Sequence, residues 1–196
     1  MQRNVYTIGY AGLNIEKFVE ALKSYKVTKL VDVRSTPRSQ YFPNYNDMAL
    51  GKTLSANGIK YANWKHEFGA RQEGMEFITN GIVDFEKFSK SEQFKLGLNK
   101  IEQLAESGEV VCLMCAEIDP VGCHRAILCG RGLHDAQFNV QHIIGKRSGE
   151  AFLESHGDLE QRLVKLNCKQ LSLLGDDLVI AYKKQNERIG YKPKGG

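Results

Sequence analysis

The stretch CLMCAEIDPVGCHR, residues 112 to 125, gathers three thiols, two carboxylates, an imidazole and a guanidinium at the end of an apolar run. A thiolate attacks electrophiles or binds metal, carboxylates and imidazoles move protons, and a guanidinium grips phosphate or carboxylate through paired N–H bonds. The run EVVCLMC, residues 109 to 115, predicts a buried strand from whose carboxyl end Cys115 and Glu117 emerge. Pro120 and Gly122 shape a loop from Ala116 to Gly122, which delivers Cys123, His124 and Arg125 to the first turn of a helix predicted over Cys123 to Leu133. A helix start carries about half a positive charge and free N–H groups, so it pushes a thiol toward thiolate and attracts anions. Glu117, His124, Cys115 and Cys123 are therefore the candidate catalytic groups, and Arg125 is a candidate substrate contact. The competing roles are structural: Cys123 as a small buried hydrophobe, and Arg125 as a clamp on Glu117 or Asp119.

Known signatures narrow the chemistry. Cys115, Glu117, Pro120 and Cys123 partly match a zinc deaminase, but only two residues separate Glu117 from Pro120 and no second cysteine follows at the required place. Another metal site from Cys115, Cys123 and His124 is disfavoured because neighbouring residues on a helix point different ways, so no metal and no cofactor is expected. A cysteine-phosphatase loop needs arginine six residues after its nucleophile, where this chain has Val121 after Cys115 and Cys129 after Cys123. The glycine signatures of nucleoside triphosphate and dinucleotide sites are also missing. Sulfur transfer or redox exchange through Cys115 and Cys123 stays open, since it needs only a reactive thiolate and a resolving partner.

These groups need elements to hold them. VYTIGY, residues 5 to 10, reads as a strand entering a turn, and Asn14 caps a helix whose Ile15, Phe18, Val19 and Leu22 recur at helical spacing. KLVDVR, residues 29 to 34, is a second strand. The order repeats: Ser91 caps a helix with Phe94, Leu98, Ile101 and Leu104 on one face, Gly108 ends it, EVVCLMC follows, then the helix from Cys123 and the strand NVQHI at 139 to 143. Such alternation predicts an α/β fold in three layers, a mainly parallel sheet flanked by helices on both faces. Ligands of such sheets bind at the carboxyl ends of the strands, which adds Tyr10 and Arg34 to the candidate substrate contacts. Asp32, inside an apolar strand, needs a partner and is expected to order a loop or helix start. His142 reads as a satisfied sheet histidine, and His66 is a weak candidate on a loop. Tyr41, Phe42 and Tyr45 are expected to pack a loop onto the core, base stacking beside Arg34 and Arg38 being the less favoured use.

Residues 35 to 90 show a short helix around Met48 to Ala56 and a strand at Ile59 to Trp64, with no traceable path between them. Beyond residue 149 the chain predicts a helical extension of one α/β domain, with a helix around Leu159, Leu163 and Leu166, then an ambiguous DLVIAY and a polar tail from Tyr182 whose end frays. A chain of 196 residues can bury about 70% of its unfolded surface in one core. There is no apolar run long enough to span a bilayer and no secretory signal pattern at the start, so a cytoplasmic protein without membrane attachment is expected. Five cysteines, odd in number and clustered, are unlike a disulfide framework and are expected reduced. The formal net charge of +4 permits an anionic small molecule or nucleic acid as partner without demanding either.

The motifs TIGYAG at 7 to 12, LVDVRSTPRS at 30 to 39, GIKY at 58 to 61, EFGAR at 67 to 71 and CAEIDPVGCHR at 115 to 125, taken in order, resemble the domain-of-unknown-function family 488. That resemblance implies an α/β fold in a bacterial or archaeal cytoplasm and one shared site from Arg34, Cys115, Glu117, Cys123, His124 and Arg125. It supplies no reaction. Tyr10 and Ala11 stand where many relatives carry a histidine and a serine, so a proton-transfer role does not carry over there. The leading expectation is an enzyme acting on a phosphate-bearing substrate, nucleotide or nucleic acid, with Arg34 and Arg125 on the anion and Glu117 or His124 moving protons. On that expectation alanine at either arginine leaves the thermal midpoint nearly unchanged. The alternatives are a non-catalytic nucleic-acid-binding module and cysteine-based sulfur or redox chemistry.

Overall fold

The computed structural model describes residues 3–145, 150–168 and 175–193. β1 (Asn4–Gly9) runs into α1 (Ile15–Ser24), whose cap Asn14 accepts from the Lys17 amide and whose buried face is Phe18, Val19, Ala21 and Leu22. β2 (Lys29–Asp32) follows, then a 3₁₀ turn at Pro43–Tyr45, α2 (Asp47–Ala56), β3 (Lys60–Asn63) and α3 (Lys65–Phe68). A short hairpin, β4 (Ile78–Thr79) with β5 (Ile82–Val83), leads to α4 (Phe85–Ser89) and α5 (Glu92–Glu106), the latter capped by Ser91 as expected. The segment from 35 to 90 is thus a string of short elements, which explains why no long periodicity marks it.

β6 (Val111–Cys115) ends at the cysteine, and after a 3₁₀ turn at Pro120–Gly122 a π-helical segment (Arg125–Gly130) continues into α6 (Arg131–Asp135). The chain closes with β7 (Asn139–Gly145), β8 (Ala151–Ser155), α7 (His156–Asn167) and α8 (Asp177–Ile189). Beyond residue 149, then, the chain first adds a strand, and DLVIAY opens α8. α8 extends well into the polar tail, because Ala181, Tyr182 and Gln185 face inward; the last residues of that tail lie outside the described ones.

The sheet has six strands in the order β3-β2-β6-β1-β7-β8, all parallel except β8, which pairs antiparallel with β7. All five residues of β6 are buried, as expected of a central parallel strand covered on both faces. Side-chain alternation divides them: Val111, Leu113 and Cys115 join a core with Phe68, Phe94, Ile101, Ile127 and Leu163, while Cys112 and Met114 join Phe18, Leu22, Leu50 and Leu54. Helices α1 and α2 therefore cover one face and the remaining helices the other, the three-layer α/β arrangement. No helix among the described residues is long and apolar enough to cross a membrane.

Candidate functional site

Three strand ends meet at the carboxyl edge. The Tyr10 amide donates to the Cys115 carbonyl at 3.2 Å and the Ala11 amide to Ala116 at 2.9 Å, so the chain leaving β1 stays zipped to the loop after β6. Gly9 is required there: a Cβ would stand 1.7 Å from the Glu117 carbonyl oxygen. Asp119 turns the loop by accepting from the Val121 amide at 3.1 Å, and Arg162 of α7 holds the same carboxylate with bonds of 2.9 and 2.8 Å. Arg162 escaped the sequence reading because its partner lies 43 residues away on another element.

Arg125 is fully buried and pins this loop from the π-helical segment. Its Nη1 donates to the Glu117 carbonyl at 2.5 Å and its Nη2 to that of Ile118 at 3.0 Å. The clamp foreseen for Arg125 thus exists, but on backbone carbonyls rather than on the Glu117 or Asp119 carboxylates. Nε alone lacks a partner.

Cys115, Cys123 and His124 converge beneath the loop. His124 Nδ1 lies 3.7 Å from Cys115 Sγ and 3.9 Å from Cys123 Sγ, and the three donor atoms are all within 4.8 Å of one another. The expectation that the neighbours Cys123 and His124 point apart does not hold. Cys123 is extended (φ −136°, ψ 138°) and only His124 turns helical (φ −60°, ψ −23°), so the regular rotation per residue does not apply across that bond. His124 Nε2 sits 3.0 Å from the Val33 carbonyl. A carbonyl only accepts, so Nε2 carries a proton and Nδ1 faces the sulfurs. Cys123 Sγ donates to Glu117 Oε2 at 2.9 Å and accepts from the Arg125 amide at 3.4 Å.

Burial by itself raises the Cys123 thiol, yet the Cys115 thiol, Arg125 and His124 around it hold it well below its ordinary range. Cys115 moves the other way, through its bond to Cys123 and through burial. His124 is raised: burial opposes its charge, and the Cys123 sulfur outweighs burial. Burial and the Cys123 sulfur together raise the Glu117 carboxyl, although the residue stands exposed on the loop.

Arg34 and Tyr10 fall on the other face of the sheet, toward α1 and α2. Arg34 donates through Nε to Asp32 Oδ1 (2.9 Å), through Nη2 to Asp32 Oδ2 (2.6 Å) and to the Tyr45 carbonyl (2.7 Å). Tyr61 also donates to Asp32, at 2.7 Å, so Asp32 has the ordering role expected of it. Burial opposes the Arg34 charge, but Asp32 raises its pKa overall. The Arg34 guanidinium lies 5.1 Å over the Tyr10 ring, which stacks on Tyr45 at 4.2 Å and meets Phe42 edge-on at 5.5 Å. Phe42 and Tyr45 thus pack the loop, while Tyr41 is 89% exposed. Arg34 Nη1 is buried without a partner. The six groups expected in one site are therefore divided by the sheet, although His124 reaches the end of β2 through Val33.

His142 is satisfied as expected, within a buried relay absent from the sequence reading. Thr7 Oγ1 lies 2.8 Å from His142 Nδ1, His142 Nε2 lies 3.0 Å from His156 Nδ1, His156 Nε2 lies 3.0 Å from the Tyr182 hydroxyl, and that hydroxyl donates to Glu160 at 2.9 Å. One consistent direction of donation runs from Thr7 to Glu160 with both imidazoles neutral. His66 is exposed and outside both groups.

Residues 14–131, more than half of the chain, match the family described as Domain of unknown function DUF488, and the chain belongs to that family. The matched span contains Arg34, Cys115, Glu117, Cys123, His124 and Arg125 and leaves out TIGYAG. No curated protein and no solved structure shows a significant match.

Proposed function

We propose that the protein is an enzyme acting on a phosphate-bearing substrate at the carboxyl edge of the sheet, with Glu117 and His124 moving protons beside Cys115 and Cys123. The observation that carries the anion is Arg34 Nη1, a buried guanidinium N–H group that meets no partner at bonding distance, although the Tyr10 side chain lies close enough to help raise the Arg34 pKa. A buried donor without an acceptor costs about 1–3 kcal/mol, which a bound anion oxygen would recover. Glu117 supports the proton-transfer role, since it is open to solvent and also touches a buried sulfur. Arg125, committed to two loop carbonyls, organises this edge rather than gripping substrate. Thiol exchange is less well supported because Cys115 and Cys123 are 4% and 1% exposed and an attacking thiolate needs access.

The test is the thermal midpoint with increasing inorganic phosphate and with a nucleoside monophosphate. Either should raise it by mass action on the folded state, and Arg34→Lys, which keeps the charge but loses the fork, should abolish the response. A midpoint that does not respond to either compound rejects the phosphate reading.

A non-catalytic nucleic-acid module has one observation of its own: Tyr41, 89% exposed, and Arg38, whose 72% exposed side chain lies 3.7 Å from Asp47, stand on one loop. Its affinity would fall steeply with salt.

A further inference from the structure

We propose that Cys115, Cys123 and His124 bind a transition-metal ion, Zn²⁺ by their chemistry, in a three-ligand site facing Glu117. The proposal shares its location with the reading above but does not depend on a phosphate-bearing substrate.

The first argument is distance. For tetrahedral zinc, with bonds of about 2.3 Å to sulfur and about 2.0–2.1 Å to nitrogen, sulfur and nitrogen ligands stand roughly 3.6 Å apart. The two sulfur-to-Nδ1 separations here are 3.7 and 3.9 Å. With all three donor atoms within 4.8 Å of one another, the set is close to the size that one ion needs.

The second argument is orientation. A ligating imidazole generally donates its other N–H to a carbonyl or carboxylate, which fixes the tautomer and turns the lone pair to the metal. His124 does this through the Val33 carbonyl at 3.0 Å, leaving Nδ1 toward both sulfurs. The Arg125 amide pointing at Cys123 Sγ is the kind of N–H support that a metal-bound thiolate uses. The rigid end of β6, the π-helical segment and the loop pinned by Arg125 and Arg162 hold these groups before any ion arrives.

The third argument is chemistry. Two thiolates with one imidazole form a soft donor set that suits zinc over magnesium or calcium. Binding needs both sulfurs as thiolates, so any proton they still hold goes to solvent and the ion supplies the positive charge that the crowded sulfurs need. Three protein ligands leave a fourth position, as in catalytic rather than purely structural zinc sites. Glu117 is outside the mutually close set of three, and its carboxylate touches Cys123 at 2.9 Å, beside the proposed ion.

The experiment uses the full chain, purified with zinc in the medium, with metal content measured per chain and the apo protein then titrated with Co²⁺. One ion per chain is expected, with a thiolate-to-cobalt charge-transfer band. Cys115→Ser and Cys123→Ser should each weaken binding by more than the roughly 10–100-fold that loss of a supporting group costs. Glu117→Gln should retain the full metal content, and it keeps the assay informative if either cysteine variant does not fold. Cys129→Ala, a buried cysteine outside the set, should also keep the ion. Absence of both zinc and cobalt binding in the parent chain, or a cobalt spectrum without thiolate bands, overturns the proposal. Phosphate response is read separately by thermal midpoint, so loss of one signal with the other intact identifies which reading fails.

Discussion

Asp32 and Arg34 on the α1 and α2 face of the sheet can be compared with Cys115, Cys123 and His124 on the opposite face. Both groups sit at the ends of β2 and β6, and both are buried. The first is nearly closed: carboxylate and guanidinium are paired two-fold, and Tyr61 and the Tyr45 carbonyl take most of what is left. The second aims three donors of similar chemistry at one point, with no carboxylate and guanidinium closing on each other inside it. Opposite charges satisfy each other and become structure, whereas converging lone pairs need a proton or a cation. On that contrast the proposed proton-transfer and metal roles are assigned to the sulfur side, while Asp32 anchors Arg34.

The largest effect should come from breaking the closed side. Asp32→Ala leaves the Arg34 guanidinium buried without its counter-charge and should cost about 3–5 kcal/mol in urea unfolding. A loss under about 1 kcal/mol would mean that Arg34 is not held structurally, and the comparison would collapse.

A smaller effect per pH unit is expected from a third buried group that uses neither charge pairing nor converging sulfurs, His142 and His156. Burial is the main cause that lowers both, helped by His156 for His142 and by His134 and Arg131 for His156, which falls to about 3. Glu160 lies 3.8 Å from His156 and favours its charge, but burial wins. With folded values below the unfolded 6.5, both states are neutral above that pH and the stability is intact there. As the pH falls below 6.5 the unfolded chain takes up protons first, so stability is lost down toward 3. The slope for each histidine is at most about 1.4 kcal/mol per pH unit. Urea unfolding at a series of pH values checks this, and equal stability across the window would mean that the imidazoles are solvated.

The smallest effect on stability belongs to Tyr41→Ala, within about 0.5 kcal/mol, because the side chain is exposed. If the loop stacks bases, the same variant should weaken single-stranded oligonucleotide binding by about 1–3 kcal/mol at fixed salt. Unchanged binding would rule out base stacking by this loop.

Much of the fold was legible in the chain. Asn14 and Ser91 cap the helices they were expected to cap, and the apolar runs mark β1, β2, β6 and β7. The helix and strand expected at 48 to 56 and 59 to 64 are α2 and β3, but α3, β4, β5, α4 and the strand β8 were not legible, since two to five residues carry too little periodicity to declare themselves. Of the candidate site, the residue types and their placement at strand ends could be read. The meeting of Cys123 and His124 could not, because it depends on one extended residue placed before the helical turn.

Local rules written in the residues, apolar spacing, caps and glycine turns, determined by themselves that this chain alternates strands and helices and that its polar groups leave the strands at one edge. Only the tertiary structure decided which face each group occupies and which partner it takes: Arg34 to Asp32, Arg125 to loop carbonyls, His142 to His156, and His124 to the two sulfurs. The physical reason is that spacing acts over a few residues. Partner choice instead depends on strand parity and on loops that bring together residues such as Val33 and His124, 91 positions apart.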